Sequence, residues 1–129
     1  MNVEESIATS QQKFTPFRLK PLSERKARFS KLTQTNSNKV PIIFERHPQS
    51  KLPNDPEVKF LSTRNLKLAY FADLLRTNLK LQPECALFFN VGRVRAAKHD
   101  ALMGELYDAE KSEDGFLYIQ FREVESFGK

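Results

Sequence analysis

The sequence predicts an α+β fold, in which a four-stranded mixed β-sheet has its first and last strands parallel and side by side in the centre. Two segments support this prediction. Segments 39–46 and 116–121 are apolar or aromatic at most positions, on both of the faces that alternate along an extended chain. A strand that buries both faces needs a covering layer on each side, so we place these two strands in the interior of the sheet.

The remaining elements follow from hydrophobic periodicity and from the turn-forming residues between the segments. The predicted order is strand 39–46, strand 57–62, helix 68–80, strand 86–91, short helix 102–109 and strand 116–121. A proline-rich connection at 47–56 joins the first two strands, which we expect to be antiparallel. This order is the β-grasp arrangement. We expect the domain to span 39–122 and to be followed by a flexible tail, 123–129.

A helical extension is predicted before this domain, at residues 14–38. It follows a polar arm, 1–13, that lacks apolar periodicity and that we expect to be mobile. Within the extension we predict a helical turn at 16–20, an amphipathic helix at 22–32 and a polar loop at 33–38. The sheet face that carries Phe116 and Tyr118 needs its own cover, and we expect this helix to provide it.

The helix at 22–32 has an apolar side and a basic side. The basic side consists of Arg25, Lys26, Arg28 and Lys31. Residues 1–39 contain eight Lys or Arg and three Glu, which accounts for the whole net charge of +5. A solvated surface is the simplest interpretation of such a helix, but the concentration of charge at one end of the chain also indicates docking on an acidic partner.

Length and composition exclude several classes of protein. A chain of 129 residues is one domain by length. No apolar run approaches the roughly 18 residues that span a bilayer, and residues 1–12 lack the apolar centre of a secretion signal, so we expect a cytoplasmic protein. The single cysteine, Cys85, excludes an internal disulfide and a multi-cysteine zinc site.

Candidate catalytic residues are few and scattered. Cys85 is best explained as a small buried residue at the start of a strand. His47 and His99 each stand in a polar loop without a second ligand at metal spacing. The carboxylates form no recognisable acid–base pair; they include Glu45, Glu84, Glu105 and Glu110. We therefore predict that the chain is not an enzyme and that it uses no metal or cofactor.

The strand 57–62 should lie at an edge of the sheet, where its backbone groups could pair with another extended segment. Side-chain alternation directs Phe60 towards helix 68–80 and Leu61 towards the N-terminal helix, so a hollow should flank the edge on each side. The inner hollow is predicted to be lined by Phe60, Leu66, Phe71 and Leu74, and the outer hollow by Pro41, Leu61 and Phe116. Ordinary core packing is the alternative explanation for these residues.

Five motifs along the chain resemble one protein family. They are Pro-Ile-Ile-Phe-Glu-Arg at 41–46, Lys-Phe-Leu at 59–61, Ala-Leu-Phe-Phe-Asn-Val at 86–91, Glu-Lys-Ser-Glu-Asp-Gly-Phe-Leu-Tyr at 110–118 and Phe-Gly at 127–128. Together they resemble the autophagy ubiquitin-like modifier family, whose mammalian members include microtubule-associated protein light chain 3 and the GABA type A receptor-associated protein. Ordered motifs over 39–128 are a far stronger signal than a single pattern. The resemblance implies a ubiquitin-like β-grasp fold.

The resemblance implies a binding mode for the two hollows. In the family, the matching positions grip a short aromatic-x-x-leucine motif of cargo receptors and adaptors. Basic positions that match Lys39 and Lys59 meet acidic residues beside that motif. Ser62-Thr63 replaces the Val-Pro pair usual in the family, which should make the leucine-side pocket more polar. The loop 93–98 is also unusually basic.

The resemblance further implies that Gly128 is a conjugation site. A processing cysteine protease would remove Lys129 by cleaving after Gly128. Ubiquitin-like activating and conjugating enzymes would then transfer Gly128 to phosphatidylethanolamine. Glycine alone lacks a Cβ, which suits a residue that must enter a narrow enzyme channel. The two acyl chains would hold a lipidated pool stably on autophagosome and related vesicle membranes.

Two functional hypotheses follow from the sequence. In the first, the chain is a modifier that recruits motif-bearing partners to autophagosomal membranes and supports autophagosome formation. In the second, it is a non-conjugated adaptor whose basic end binds tubulin, RNA or acidic lipid. The two are compatible, because the family is linked to microtubules through a basic N-terminal region, which adds the cytoskeleton as a location. We expect the protein to be mostly monomeric in solution.

Overall fold

The computed structural model describes residues 15–50 and 57–125. The predicted arm, 1–13, lies outside this part of the chain. In chain order the elements are a 3₁₀ turn Phe17–Leu19, α1 Leu22–Thr35, β1 Lys39–Arg46, β2 Glu57–Thr63, α2 Leu68–Leu79, β3 Cys85–Val91, α3 Met103–Glu110 and β4 Leu117–Glu125. All the predicted helices and strands are present, and most bounds agree to within one residue. None of the helices in the described ranges is long and apolar enough to cross a membrane.

The four strands form one sheet in the order β2-β1-β4-β3. Strands β1 and β4 are parallel neighbours in the centre, with Phe44 beside Ile119. Strands β2 and β3 pair antiparallel with them at the two edges. The predicted ubiquitin-like β-grasp arrangement is therefore confirmed, including its central parallel pair and the edge position of β2.

One face of the sheet carries the main core. Phe44 is fully buried at its centre, with ring-centroid distances of 5.7 Å to Phe60, 5.6 Å to Phe71 and 6.0 Å to Phe89. Helices α2 and α3 close this layer with the buried residues Leu68, Ala72, Leu75, Met103 and Leu106. Because aromatic side chains bury large apolar areas, this inner layer provides most of the hydrophobic stabilisation.

The opposite face is covered by the N-terminal segment, as predicted. Phe17, Ile43 and Phe116 are buried together, and Phe29, Leu32 and Tyr118 pack around them. The rings of Phe17 and Phe29 lie 4.9 Å and 6.0 Å from that of Phe116. Helix α1 begins after Pro21 and contains no fully buried residue. This outer layer is therefore smaller than the inner one.

The predicted end of the N-terminal helix was wrong. Helix α1 continues to Thr35 and takes in part of the predicted loop 33–38. The hydroxyl of Thr33 donates to the carbonyl of Phe29 at 2.9 Å, and the side-chain amide of Asn36 donates to the carbonyl of Leu32 at 3.0 Å. These side chains satisfy carbonyls of the last turns, so a polar sequence can continue the helix.

The predicted end of the last strand was also wrong. Strand β4 continues past 121 to Glu125, because its backbone remains paired with β3 as far as Cys85. Backbone pairing does not require apolar side chains. Three of the four residues at 122–125 are charged, so their composition did not indicate that the strand continues. Residues 123–125, which the sequence assigned to the flexible tail, are part of the sheet.

Candidate functional site

Strand β2 provides the longer open edge of the sheet. It pairs with β1 on one side, where Leu61 lies opposite Pro41, and no other strand in the described ranges pairs with its outer side. The β3 edge differs, because the loop that follows β3 folds back along it. There the backbone N–H of Ala97 donates to the carbonyl of Phe89 at 2.8 Å. An extended peptide therefore has more unpaired backbone to bind at β2.

The structure brings the four predicted inner-hollow residues together between β2 and α2. The rings of Phe60 and Phe71 are 5.2 Å apart, and Leu66 and Leu74 pack against the same core. Phe71 is buried, whereas the other three are partly exposed. Phe71 therefore forms the floor of the inner hollow, and Phe60, Leu66 and Leu74 form walls that a ligand could reach.

The two hydroxyl-bearing residues beside the inner hollow both have partners within the chain. Ser62 is fully buried, and its hydroxyl donates to the carbonyl of Thr63 at 2.7 Å. The hydroxyl of Thr63 donates to the side-chain oxygen of Asn65 at 3.0 Å. A ligand in the inner hollow therefore does not have to form a hydrogen bond with either hydroxyl. This reduces the free-energy cost of placing an apolar side chain beside them.

The predicted outer hollow is more closed than the inner one. Phe116 is 4% exposed and Pro41 is buried, so Leu61 is the one predicted lining residue that remains partly exposed. The rings of Phe17 and Phe29 pack on Phe116 from the N-terminal segment. The N-terminal segment therefore forms one wall of the outer hollow.

Phe17 is a lining residue that sequence reasoning missed. Besides packing on Phe116, its ring lies 5.0 Å from Nζ of Lys59, and its backbone N–H donates to Oε1 of Glu57 at 3.1 Å. These contacts tie the 3₁₀ turn to the start of β2. The signal in the sequence was an aromatic residue directly after Pro16 and three positions after Phe14, in a short segment without sustained apolar periodicity.

The two predicted flanking lysines lie apart along this edge. Lys39 begins β1 opposite Thr63, and Lys59 lies opposite Ile43, four positions further along β1. At the usual rise per residue, this separates them by roughly 13 Å. Lys59 is exposed, but its Nζ lies 3.6 Å from Oε2 of Glu57, which compensates part of its charge.

Three of the four residues predicted for the basic side of the helix are exposed. They are Lys26, Arg28 and Lys31, and none of them forms an ion pair within the described ranges. Arg25 differs, because its side chain is 17% exposed and donates to Oδ2 of Asp114 and to the carbonyl of Lys20, both at 2.8 Å. Arg25 therefore fixes α1 to the domain. Of the three exposed cations, Arg28 and Lys31 lie one turn apart on one side of α1, and Lys26 lies on another side.

Asp114 is the centre of a buried polar network. Its fully buried carboxylate accepts hydrogen bonds from Arg25, from the Tyr118 hydroxyl at 2.5 Å and from the backbone N–H of Phe116 at 2.8 Å. Burial and the hydrogen bond to Asp114 raise the pKa of Tyr118, and the bond to Asp114 raises that of Arg25. The network joins α1 to β4 and to the turn before it, so a charge pair helps to hold the N-terminal layer in place.

The candidate reactive residues do not form a site. Cys85 is buried at the start of β3. Nδ1 of His47 accepts a hydrogen bond from the backbone of Gln49 at 3.0 Å, and the ring of His99 packs against Phe89 at 5.5 Å. Within residues 15–50 and 57–125, no group of three or more His, Cys, Asp or Glu side chains is arranged to hold a metal ion.

The predicted processing and conjugation site, Gly128 with Lys129, lies outside the described residues. The last described strand, β4, leads towards it and ends at Glu125. Strand β4 is paired on both sides from Leu117 to Phe121 and with β3 alone from Arg122 to Glu125.

Three comparisons with known proteins agree with one another. The family model described as "Autophagy protein Atg8 ubiquitin like" matches residues 24–128. The chain is similar to Autophagy-related protein 8 of Colletotrichum lindemuthianum and of Neurospora crassa, with 34% identity over 108 residues, 84% of this chain and 88% of each relative. It is also similar to the crystal structure of Trypanosoma brucei ATG8, with a TM-score of 0.76 and 26% identity, over 91% of this chain and 100% of that one.

Proposed function

The chain belongs to the Atg8 ubiquitin-like family of autophagy proteins, and from this premise we propose that it is a modifier, processed after Gly128 and conjugated to phosphatidylethanolamine. The observation that carries the proposal is the family match, which runs through residue 128 and leaves out Lys129. Members of this family work in a ubiquitin-like conjugation pathway as modifiers. We propose that this chain likewise has no catalytic activity of its own.

The proposed reactions at Gly128 are all acyl transfers. A cysteine protease hydrolyses the Gly128–Lys129 peptide bond, which frees the Gly128 carboxylate and releases lysine. An activating enzyme uses ATP to convert that carboxylate into a thioester and passes it to a conjugating enzyme. The amine of phosphatidylethanolamine then displaces the thiol and forms an amide. Glycine suits each step because it has no Cβ to obstruct attack on its carbonyl.

The proposed lipid attachment would hold the domain close to the membrane. Three residues beyond Glu125 reach Gly128, a distance of about 10 Å when extended. The two acyl chains of the conjugated lipid anchor a protein far more stably than one chain would. We therefore propose a cytoplasmic protein with a lipidated pool on autophagosome and related vesicle membranes.

We propose the β2 edge as the binding site for aromatic-x-x-leucine motifs of cargo receptors and adaptors, as in light chain 3 and the GABA type A receptor-associated protein. The motif would pair with the outer side of β2, with its leucine in the inner hollow and its aromatic residue in the outer hollow beside Phe17. Each buried anchor contributes roughly 1.5 to 3 kcal/mol before ordering costs, and micromolar affinity, roughly 8 kcal/mol, would also need the backbone pairing along β2. Lys39 and Lys59 would mainly steer acidic flanks.

The conjugation proposal is tested by fractionating starved cells that express Gly128→Ala. We expect this variant to stay out of the membrane fraction, because the protease and the activating enzyme no longer receive glycine. Lys129→Ala is the matched control, since it changes the neighbouring residue but retains Gly128, and we expect it to enter the membrane fraction normally. Equal membrane content of the two variants would contradict the proposal.

A second function is supported by the three exposed cations of α1, Lys26, Arg28 and Lys31. They stand on one helix that is fixed to the domain through Arg25. We propose that this helix docks on an acidic surface such as tubulin, with Arg28 and Lys31 one turn apart on one side, which also places the protein at the cytoskeleton. Changing Lys26, Arg28 and Lys31 to Gln should abolish co-sedimentation with microtubules, and binding of the unchanged protein should weaken steeply with salt. Undiminished sedimentation of the triple variant would rule the proposal out.

A further inference from the structure

A polar cleft of about 310 Å³ lies on the face of the sheet that also carries α1. Its lining includes Arg18, Tyr118, Gln120, Asn90, Arg95 and Glu110. The cleft lies over β3 and β4, whereas the candidate motif surface lies at the β2 edge, with β1 between them. From β2 to β3 the sheet extends three strand spacings, roughly 14 Å. Arg18 and Tyr118 adjoin the layer under the N-terminal segment, but none of the residues that line the cleft is one of those predicted to bind the motif.

The loop 92–97, which borders the cleft, is held in a fixed shape. The backbone N–H of Arg93 donates to Oε1 of Glu110 at 2.9 Å, and that of Ala96 donates to Oδ1 of Asn90 at 3.0 Å. Ala96 has a φ of 49°, in the left-handed region that residues other than glycine seldom adopt. Gly92 has a φ of 56°, which favours glycine, and a Cβ there would lie 2.2 Å from Oε1 of Glu110, so a side chain would displace the carboxylate that holds the loop.

Most charges around the cleft are compensated, but that of Arg95 is not. Arg18 pairs through two nitrogens with Glu45, and its guanidinium lies 4.7 Å from the centre of the Tyr118 ring. Glu110 is paired with Arg93 at 3.1 Å, and the hydrogen bonds from Arg93 lower the pKa of Glu110. Within the described ranges Arg95 has no hydrogen bond or ion pair. The cleft therefore carries one excess positive charge.

The remaining lining groups suit a ligand with hydroxyl groups. The side-chain amide nitrogen of Asn90 lies 3.5 Å from Oε1 of Gln120, which leaves the amide N–H₂ of Gln120 without a partner in the described ranges. The hydroxyl of Ser112 also lines the cleft. Amides and hydroxyls can both donate and accept hydrogen bonds, as a polyol requires.

We propose that this cleft binds a phosphorylated polyol, with Arg95 on the phosphoryl group and the Asn90 and Gln120 side chains on the polyol hydroxyls. A guanidinium fits phosphate oxygens with two parallel hydrogen bonds, which a fixed loop can aim better than a flexible one. The cleft volume lies at the lower end of the range for small-molecule sites, which is enough for one phosphorylated six-membered ring. The basic loop 93–98 thereby has a function outside motif binding and conjugation.

The proposal is tested by titrating the full-length protein with myo-inositol monophosphate while recording its amide NMR spectrum. We expect saturable shifts at the Asn90 and Gln120 side-chain amides, with no such response to myo-inositol alone. Arg95→Gln should weaken binding by about tenfold or more. Lys98→Gln removes the same charge just after this loop, at a position that does not line the cleft, and it should change affinity by less than about twofold. The proposal would be overturned if the two variants lost the same affinity for inositol monophosphate, or if succinate bound as tightly as inositol monophosphate.

Vesicle binding distinguishes a lipid headgroup from a free ligand. The Gly128→Ala variant is used, so a failure here is independent of conjugation. Vesicles with phosphatidylinositol monophosphate are compared with phosphatidylserine vesicles of equal charge. If the protein is retained by the phosphoinositide vesicles and Arg95→Gln abolishes this retention, the ligand is a lipid headgroup. If free inositol monophosphate binds but the vesicles do not retain the protein, the ligand is a free phosphorylated polyol. The proposed site would be contradicted if both kinds of vesicle retained the protein equally, if Arg95→Gln did not change this retention, and if free inositol monophosphate did not bind.

Discussion

The two faces of the sheet are covered by layers of different chemistry. The inner layer, under α2 and α3, is almost entirely apolar and is centred on Phe44. The outer layer, under the N-terminal segment, buries only Phe17, Ile43 and Phe116 and is joined to the domain by the Asp114 network. The difference indicates that the inner layer determines whether the chain folds, whereas the outer layer determines what the folded domain presents. Each proposed binding site except the inner hollow contains a residue of the outer layer or lies beside it.

The largest effect should come from breaking the inner layer. Phe44→Ala removes a fully buried ring that contacts three other aromatic rings, and we expect it to lower the free energy of unfolding by about 4 kcal/mol. Phe88→Ala is the matched control, because Phe88 is 45% exposed, and it should cost less than about 1 kcal/mol. Urea denaturation followed by circular dichroism measures both. Similar midpoints for the two variants would show that Phe44 is not central to the core.

The next effect should be confined to the outer layer. Asp114→Asn keeps the shape of a buried side chain but removes the charge that pairs with Arg25, and we expect a loss of about 2 kcal/mol. Hydrogen exchange should accelerate in α1 and remain unchanged in α2. Glu113→Gln, at the exposed neighbouring position, is the control. Uniform acceleration across both helices would mean that the two layers unfold together.

A third effect should appear in motif binding, where the two layers meet. Leu61 faces the outer hollow and Leu66 the inner one, so Leu61→Ala and Leu66→Ala should each weaken binding of an aromatic-x-x-leucine peptide by about tenfold. Leu19→Ala should leave the affinity unchanged, because Leu19 is 69% exposed and lines neither hollow. Calorimetric titration of one peptide measures all three. If only the Leu66 variant lost affinity, the outer hollow would not be a binding pocket.

The smallest effect should come from the hydroxyl of Tyr118. Tyr118→Phe removes one hydrogen bond to Asp114, so the wild type should be more stable by about 1 kcal/mol at neutral pH. Because folding raises the Tyr118 pKa, this advantage is complete below the ordinary tyrosine pKa of about 10 and is lost as pH rises towards the folded value. Denaturation at a series of alkaline pH values should show it. An advantage that persists unchanged above the ordinary pKa would contradict this assignment.

The sequence predicts the inner layer and the sheet because their signals are local. Strands β1 and β4 are apolar on both faces, and α2 repeats apolar residues at helical spacing, so the central pair and the edge position of β2 follow without knowledge of contacts. The outer layer is different. Arg25 pairs with Asp114, 89 positions away in the chain. Helical spacing places Arg25 on the same side of α1 as Leu22, Phe29 and Leu32, which separates it from Lys26 and Arg28, but it does not reveal the partner.

Phe17 and the end of β4 were hidden for related reasons. The role of Phe17 depends on its packing against Phe116, at the opposite end of the chain, and the residues next to it give no pattern. Residues 122–125 join the sheet by backbone pairing with β3, and their side chains, three of which are charged, do not indicate that pairing. In both cases a distant partner decides the structure, and local composition does not report it.

Mass spectrometry of the protein isolated from its own starved cells tests the proposed modification most directly. We predict two forms: one that lacks Lys129 and ends at Gly128, and one in which Gly128 carries phosphatidylethanolamine through an amide bond. Fragmentation should place the lipid on Gly128. Protein that retains Lys129 and never carries a lipid would contradict the proposed conjugation and leave a motif-binding domain without this membrane attachment.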